Sequence, residues 1–221
     1  MIICMSFASV LLRAGPIILF SPQDKPTNML LKLINEAQKT ILAAVYMFTE
    51  NRIAQALIKA RQRNVEIKII VDRVTVESEY GKALLLLQNG IEVSMYTPFK
   101  AAAVPYRFLK QNGDKFFPHE SIMHNKFAIF DNKTVFTGSF NWTVSANVRN
   151  QENVIVIEDA DVCKIYETYF DKLFTTQGKK LIIRSAAVQT IDKEEAGVQA
   201  ASDYARAASV MMPNQPVLAE A

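Results

Sequence analysis

The sequence predicts an α/β fold: a mixed, mostly parallel β-sheet with helices on both faces, in a single domain. Three observations support this prediction. Short apolar runs alternate with amphipathic helical segments between residues 17 and 96, a pattern typical of parallel strands joined by helices. An Asp-Asn-Lys turn signal at 131–133 separates two later strand-like segments, which predicts an antiparallel hairpin. Half of the 221 residues are hydrophobic, which is enough to bury a substantial core.

The elements before the hairpin follow from local patterns in chain order. A continuous apolar run predicts a buried strand at 17–20, and Pro26 and Thr27 open a helix with one apolar face. Strands are predicted at 40–47, 65–71 and 91–96, with helices at 51–63 and 78–88. An Asn-Gly pair at 89–90 is a signal for the end of the second of these helices.

The later elements complete the domain. The hairpin strands are predicted at 124–130 and 134–137, followed by a strand at 152–157 and an amphipathic helix at 161–174. A short ordered element is expected at 179–184. We therefore divide the chain into an apolar N-terminal segment (1–15), one folded domain (16–186) and an Ala-rich tail (187–221). The tail has no periodicity and is expected to be disordered.

Two side chains with functional groups suited to catalysis, an imidazole and an ammonium, lie at the start of the hairpin. Side chains alternate across a strand, so His124 and Lys126 are expected on the same face, about 7 Å apart along it. A neutral imidazole can attack phosphorus directly. The covalent intermediate that forms splits one difficult step into two easier ones. An ammonium beside it would hold the charge of a phosphodiester through the transition state.

The return strand brings further polar groups to the same end. The hairpin is expected to carry Gly138, Ser139 and Asn141 back toward His124, where Ser139 and Asn141 can donate hydrogen bonds to phosphate oxygens. Asp131 opens the turn and is expected to brace it, since a carboxylate beside a phosphate is repelled.

Together these residues form the pattern His-x-Lys-x4-Asp-x6-Gly-Ser-x-Asn, which resembles the signature of the phospholipase D superfamily at every fixed position. The single copy is similar to the small one-motif members: bacterial metal-independent endonucleases and mitochondrial-surface relatives linked to cardiolipin and small-RNA processing. The resemblance spans residues 16–174 and includes the segments YMFT at 46–49 and VEIKIIVD at 65–72. It implies a phospholipase D-like fold.

The resemblance also implies roles for individual residues. His124 would be the nucleophile, and Lys126, Ser139 and Asn141 would bind the phosphate. Asp131 belongs to the catalytic motif, and Glu152 would be the carboxylate that orients the histidine, as in other bases held by a third group.

A second proton carrier is needed to protonate the leaving oxygen, and histidine is the best suited residue near neutral pH. The chain has two histidines. His119 is one candidate, in a loop without a motif of its own. The resemblance implies the other arrangement: a homodimer with the active site at its two-fold interface, in which the partner's His124 is the acid.

A long connection at 97–121 precedes the nucleophile strand and mixes cations with aromatic residues. It is a candidate rim for the substrate groove, with cations for backbone phosphates and aromatic rings for stacked bases. An interfacial lipid contact and an ordinary loop with buried aromatics are the other interpretations. The four candidate rim cations are Lys100, Arg107, Lys110 and Lys115.

Composition excludes several classes of site. Cys4 and Cys163 are too isolated to suggest a disulfide framework, and no Cys/His cluster suited to zinc is present. No glycine-rich phosphate loop is found either. We therefore expect no metal and no cofactor. The tail carries two basic and five acidic residues, which leaves residues 1–186 with a net charge of +6; a polyanionic substrate or a membrane surface fits this balance.

The location of the protein depends on its first 15 residues. The run MIICMSFASVLL is apolar but has no basic start, and it is shorter than the roughly 20 residues of a spanning helix. As a signal or anchor it would make the protein periplasmic or membrane-associated; as a packed segment it would leave the protein cytoplasmic.

Three functions remain open from the sequence. The leading hypothesis is a metal-independent phosphodiesterase, a nuclease cleaving DNA or RNA through a phosphohistidine in a homodimer. The alternative is a phospholipase D or cardiolipin hydrolase at a membrane, because the chemistry is shared. A non-catalytic nucleic-acid or membrane binding module is the third, and the complete motif argues against it.

Overall fold

The computed structural model of the protein describes residues 15–97, 121–184 and 187–190. Three predictions therefore fall outside the described residues: the character of the N-terminal segment, the groove-rim role of the 97–121 connection, and disorder beyond residue 190. The candidate acid His119 and the four rim cations are among the residues not described.

Strands and helices alternate in the first half of the chain, as predicted. The elements are β1 (Ile17–Ser21), α1 (Pro26–Glu36), β2 (Thr40–Val45), α2 (Asn51–Gln62), β3 (Glu66–Val71), α3 (Arg73–Glu77), α4 (Ala83–Gln88) and β4 (Glu92–Tyr96). The helix predicted at 78–88 starts later, as α4, and is preceded by the separate turn of helix α3. Gly81 lies between them, and a Cβ there would overlap the backbone oxygen of Thr75, so the chain turns where no side chain fits.

The second half contains the hairpin and the elements that follow it. They are β5 (Lys126–Phe130), β6 (Thr134–Gly138), α5 (Val144–Val148), β7 (Glu152–Glu158), α6 (Ala160–Thr176), β8 (Gly178–Arg184) and β9 (Ala187–Thr190). The element expected at 179–184 is thus strand β8. β8 pairs with β9 in antiparallel register, so the pairing of strands continues past residue 186, where the domain was predicted to end.

The described strands form one sheet in the order β1-β7-β6-β5-β2-β3-β4-β8-β9. The mixed sheet is confirmed, but the prediction that it is mostly parallel is wrong. Only β2–β3 and β3–β4 are parallel, and the other six described pairs are antiparallel. A parallel pair needs a long crossover, such as the one through α2. β1 is also followed by a helix, but it pairs with β7 instead of β2, and the hairpins β5–β6 and β8–β9 each add an antiparallel pair.

Helices cover both faces of the sheet, as predicted. β2 is buried from Ile41 to Val45, and its side chains alternate between two cores. Ile41, Ala43 and Val45 pack in the cluster that contains the apolar faces of α1 and α2. Leu42 and Ala44 pack on the other face against residues of α6 such as Phe170.

One edge of the sheet collects the ends of several strands. Val45, at the end of β2, is paired with Val71 at the end of β3 and with Lys126 at the start of β5. The end of β6 and the start of β7 lie beside it, since Gly138 pairs with Val154. Ligands of α/β sheets commonly bind beyond such strand ends, and the predicted motif residues other than Asp131 lie at this edge.

Candidate active site

His124 lies immediately before β5, because the strand begins at Lys126 and not at residue 124 as predicted. Its side chain is exposed. The neighbouring backbone is nevertheless fixed: Tyr46 N donates to Asn125 O at 2.9 Å, and Met123 N donates to the carboxylate of Asp72 at 2.9 Å. An accessible imidazole is therefore carried on a backbone that neighbouring elements hold in place.

Lys126 lies close to His124, and both side chains contact the ring of Tyr46. The lysine side chain is only 5% exposed, and its Nζ donates to the backbone oxygen of His124 at 2.7 Å. The ring of Tyr46 lies beside both groups: its centroid is 5.0 Å from Nζ and 4.7 Å from the imidazole centroid, edge-on at 61°. The ammonium and the imidazole are thus held as one unit.

The surroundings shift the ionisation of this pair. Burial and the nearby Lys126 ammonium lower the pKa of His124 below its ordinary value, and the carboxylate of Asp72 opposes this shift. Burial likewise lowers the pKa of Lys126, against the opposing charge of Glu152. A lowered histidine pKa favours the neutral imidazole, the form that can act as a nucleophile.

Ser139 and Glu152 are directly joined. The serine hydroxyl donates to Glu152 Oε2 at 2.6 Å and accepts from Asn153 N at 3.1 Å. The other carboxylate oxygen, Oε1, accepts from the side-chain nitrogen of Asn150 at 3.0 Å. Glu152 is therefore engaged with Ser139 and Asn150 in this structure, and its expected role of orienting the histidine stays a prediction.

Asn141 follows β6 and has spare hydrogen-bonding capacity. Its Oδ1 is buried and has no hydrogen-bond partner among the described residues. A buried, unsatisfied amide oxygen is costly in a finished core and calls for an explanation. A phosphodiester offers only acceptor oxygens, so Oδ1 would need a donor from elsewhere, and the side-chain nitrogen of Asn141 is the group that could bind phosphate.

Gly138 is required by the sheet. A Cβ at this position would overlap the backbone oxygen of Asn153 in the neighbouring strand β7. The backbone that approaches Gly138 closely in the structure is therefore that of strand β7.

Asp131 is the one predicted catalytic residue that the structure does not bring to this edge. It stands at the opposite end of β5 from His124 and accepts backbone N–H bonds from Gln38 (2.8 Å), Lys39 (2.7 Å) and Thr40 (2.9 Å). Asp131 and Asn132 both have positive φ, 53° and 52°, as tight hairpin turns require. The carboxylate braces the turn against the start of β2, and a catalytic role for Asp131 stays a prediction.

An open depression of about 470 Å³ adjoins the imidazole. Besides the motif residues it is lined by side chains of α6, among them Ile165, Tyr166 and Tyr169. The hydroxyl of Tyr169 accepts from the side chain of Asn125 at 3.1 Å. Sequence reasoning missed these residues, because their placement depends on how α6 packs and no local pattern signals it.

Tyr46 and Asp72 were also missed as parts of the site, although both lie in the segments 46–49 and 65–72 that carry the family resemblance. A signal was available: each directly follows a buried strand, and residues after strand ends line the ligand edge of α/β sheets.

A separate finding concerns membranes: among the described residues, no helix combines the length and apolar character that a bilayer span requires.

Comparison with known proteins identifies a matching family and related sequences. The family model described as "Cardiolipin synthase, PLD-like domain" matches residues 30–174. Phospholipase D of Rickettsia prowazekii is 35% identical over 156 residues, covering 71% of this chain and 64% of that protein. The mitochondrial cardiolipin hydrolase of Xenopus tropicalis is 30% identical over 151 residues, covering 68% of this chain and 62% of that protein. The chain thus spans slightly less than two thirds of the length of these curated relatives.

A solved structure is similar over nearly its whole length. Nuc of Salmonella typhimurium, a phospholipase D family member, has a TM-score of 0.63 and 26% identity, covering 76% of this chain and 99% of that one. The family match extends from α1 to α6 and contains the whole motif around His124. The chain therefore belongs to the phospholipase D-like family.

Proposed function

We propose that this protein is a metal-independent phosphodiesterase that cleaves nucleic acid through a phosphohistidine on His124. The observation that carries the proposal is the pairing of an exposed imidazole with a nearly buried lysine, whose Nζ lies 2.7 Å from the backbone oxygen of His124. Burial and the lysine charge lower the pKa of His124. A neutral nucleophile and a fixed cation are the two groups that attack on a phosphodiester requires.

In the first step an imidazole nitrogen of His124 attacks phosphorus. The new P–N bond forms as the P–O bond to the leaving group breaks, and the leaving oxygen takes a proton from a second imidazole. Lys126 offsets the charge on the phosphoryl oxygens; its bond to the His124 carbonyl uses one of three N–H groups. The side-chain nitrogen of Asn141 would be a further donor.

In the second step water hydrolyses the intermediate. The second imidazole, now neutral, takes a proton from water; the oxygen attacks phosphorus, and the P–N bond breaks to return neutral His124. We assign the second imidazole to the partner's His124 across a two-fold axis. Each protomer alone would then lack a proton donor.

Ser139 can donate a hydrogen bond to the phosphate in this scheme only under one condition. Its single hydroxyl proton is committed to Glu152 at 2.6 Å, so it can donate to phosphate only if that bond is released. The pair would otherwise act by holding the loop that carries Asn141.

The depression beside His124 supports nucleic acid as the substrate. The exposed ring of Tyr169, the hydroxyl of Tyr166 and the amide of Asn125 border it. An aromatic face next to hydrogen-bonding groups suits a stacked base. Contacts to backbone phosphate predict weak sequence preference and steep inhibition by salt.

The test is to incubate the full chain with single- and double-stranded DNA and RNA, and in parallel with cardiolipin vesicles, in the presence of chelator. We expect nucleic-acid cleavage without added metal and an acid-labile phospho-adduct on His124 after rapid quenching. The His124→Asn variant should lose about 10⁴-fold or more in turnover and form no adduct, with its thermal unfolding unchanged. A strict requirement for Mg²⁺ would refute the mechanism.

Hydrolysis of a phospholipid headgroup is the second candidate function. It is favoured by the similarity to proteins named phospholipase D and mitochondrial cardiolipin hydrolase. Cleavage of the vesicles without cleavage of nucleic acid would replace the leading proposal with this one. Binding of either substrate without turnover would indicate a non-catalytic binding module instead.

A further inference from the structure

We propose that Asp72 is a positioning residue for His124: its carboxylate holds the peptide that precedes the nucleophile. The inference rests on the proposed function of His124. It concerns a residue outside the signature, 52 positions earlier in the chain.

The carboxylate of Asp72 has two separate hydrogen bonds. Oδ1 accepts from Val74 N at 3.1 Å and caps the short helix α3. Oδ2 accepts from Met123 N at 2.9 Å, a buried bond between residues 51 positions apart. Asp72 itself is 5% exposed, so it ties the end of β3 to the backbone next to the imidazole.

Capping alone does not require a buried carboxylate. Thr143 caps the equally short helix α5 with a hydroxyl, which accepts from Ala146 N at 3.1 Å. Asp159 caps α6 through Oδ1, which accepts from Asp161 N and Val162 N. At Asp72 the second oxygen reaches away from the helix it caps, to Met123. Because burying a carboxylate is costly, this second bond calls for a purpose beyond the cap.

The bond to Met123 completes a three-point fixation of the nucleophile's backbone. Met123 N is held by Asp72, the His124 oxygen by Lys126 Nζ, and the Asn125 oxygen by Tyr46 N. Three consecutive residues are thus tied to three elements, while the imidazole between them stays exposed. Displacement of a reacting group by about 1 Å can reduce the rate about 100-fold. Removing one of these hydrogen bonds should therefore lower kcat.

Asp72 also acts on the imidazole through its charge. Burial and the charge of Lys126 lower the pKa of the His124 imidazole, whereas the charge of Asp72 raises it. Tyr46 contacts the ring, and Tyr169 lies across Asn125 from it. Tyr96, whose own pKa is raised by burial and by Asp72, lies in the adjoining core, while Glu152 acts on Lys126.

The decisive variant is Asp72→Ser in the full chain. Serine is a good helix cap, so α3 keeps its cap while the tie to Met123 and the charge are lost. Asp72→Asn removes the charge and keeps an oxygen acceptor. Asp159→Ser is the matched control, because it changes a capping aspartate at the start of α6, outside the proposed active site.

Two readouts are needed. The first is an NMR titration of the two imidazoles, with His124→Gln identifying the His124 signal. The second is the pH dependence of kcat and KM on a phosphodiester that the wild type cleaves.

We expect Asp72→Ser to lower the titration midpoint of His124 and the acid limb of kcat/KM. It should also reduce kcat by about 10- to 100-fold, with KM near that of the wild type. Asp72→Asn should shift the titration in the same direction with a smaller loss of kcat. Asp159→Ser should match the wild type in both readouts, even where its thermal stability falls.

A folded Asp72→Ser protein with wild-type kcat and a wild-type His124 titration would overturn the proposal. If Asp72→Ser does not fold, the same two measurements on Asp72→Asn decide. The NMR arm does not depend on turnover. Absence of any wild-type phosphodiesterase activity would thus refute the proposed function, while the titration would still show whether Asp72 controls His124.

Discussion

Ser139 donates the shortest side-chain hydrogen bond around the candidate site, 2.6 Å to Glu152. The residue expected to bind phosphate and the residue expected to orient the histidine are therefore partners of each other. Their effects on catalysis should not be independent.

We predict strong coupling between Ser139→Ala and Glu152→Gln. Each single change should lower kcat/KM by about 10- to 100-fold, and the double variant should lose little more than the worse single variant. Steady-state kinetics of the four proteins, at matched folded fraction, measure the coupling. If the two losses simply multiply, Ser139 and Glu152 act separately and the bond between them has no part in catalysis.

The proposed dimer predicts dominant inactivation. If each site needs His124 from both protomers, only wild-type homodimers are active. Co-refolding wild type with increasing His124→Asn protein should then reduce activity per site with the square of the wild-type fraction. A linear decrease would contradict the shared site, and a monomer with full activity in sedimentation would do so as well.

The Lys126 charge predicts a pH effect of defined sign. Burial and Lys126 both lower the pKa of His124, so the neutral imidazole should persist to a lower pH than in an ordinary histidine, and the acid limb of kcat/KM should lie correspondingly low. Lys126→Met removes the charge and keeps an apolar chain of similar length. It should raise the His124 pKa in an NMR titration and reduce kcat by about 10²- to 10³-fold. An unchanged titration would show that the ammonium does not act on the imidazole.

Asp131 predicts a loss of stability without a loss of chemistry. Partial burial raises the pKa of this carboxyl, but the backbone N–H groups of Gln38, Thr40 and Lys39 and the Lys39 charge outweigh it, so the pKa is lowered. Asp131→Ala should cost about 2 kcal/mol of unfolding free energy at neutral pH and leave kcat of the folded protein near the wild-type value. Asn132→Gly is a control in the same turn, because glycine readily adopts the positive φ of this position.

The same lowered pKa fixes the pH window of this effect. A carboxyl with a depressed folded-state pKa contributes stability that is fully present above its unfolded-state pKa, about 3.9. That contribution is lost as the pH falls through the folded-state value. The difference between wild type and Asp131→Ala in urea unfolding should therefore shrink on acidification below about pH 4. A difference that is constant with pH would mean that the ionised carboxylate is not the stabilising group.

Local patterns were sufficient for most elements and for the motif edge. Alternation placed His124 and Lys126 on one face, and the Asp-Asn-Lys signal predicted the turn that returns Ser139 and Asn141 to the same end. These relations involve neighbours along the chain or across one hairpin, where strand geometry leaves few alternatives.

What the sequence did not reveal depends on distant contacts. The order of strands is not encoded in the composition of any one strand: β1 was expected among the parallel strands, yet it lies at the edge of the sheet beside the antiparallel β7. The bond from Asp72 to Met123 and the position of Tyr169 beside Asn125 join segments 51 and 44 residues apart. No local pattern signals such pairs, although a polar residue directly after a buried strand was a usable sign for Asp72.

The far-end bracing by Asp131 has a practical bearing on how related sequences are sorted. A homologue with an altered motif aspartate, but with its imidazole, ammonium and amide intact, would be expected to keep turning over while tolerating less heat. Screening by the complete signature would discard such proteins as inactive, whereas an assay at reduced temperature would recover them.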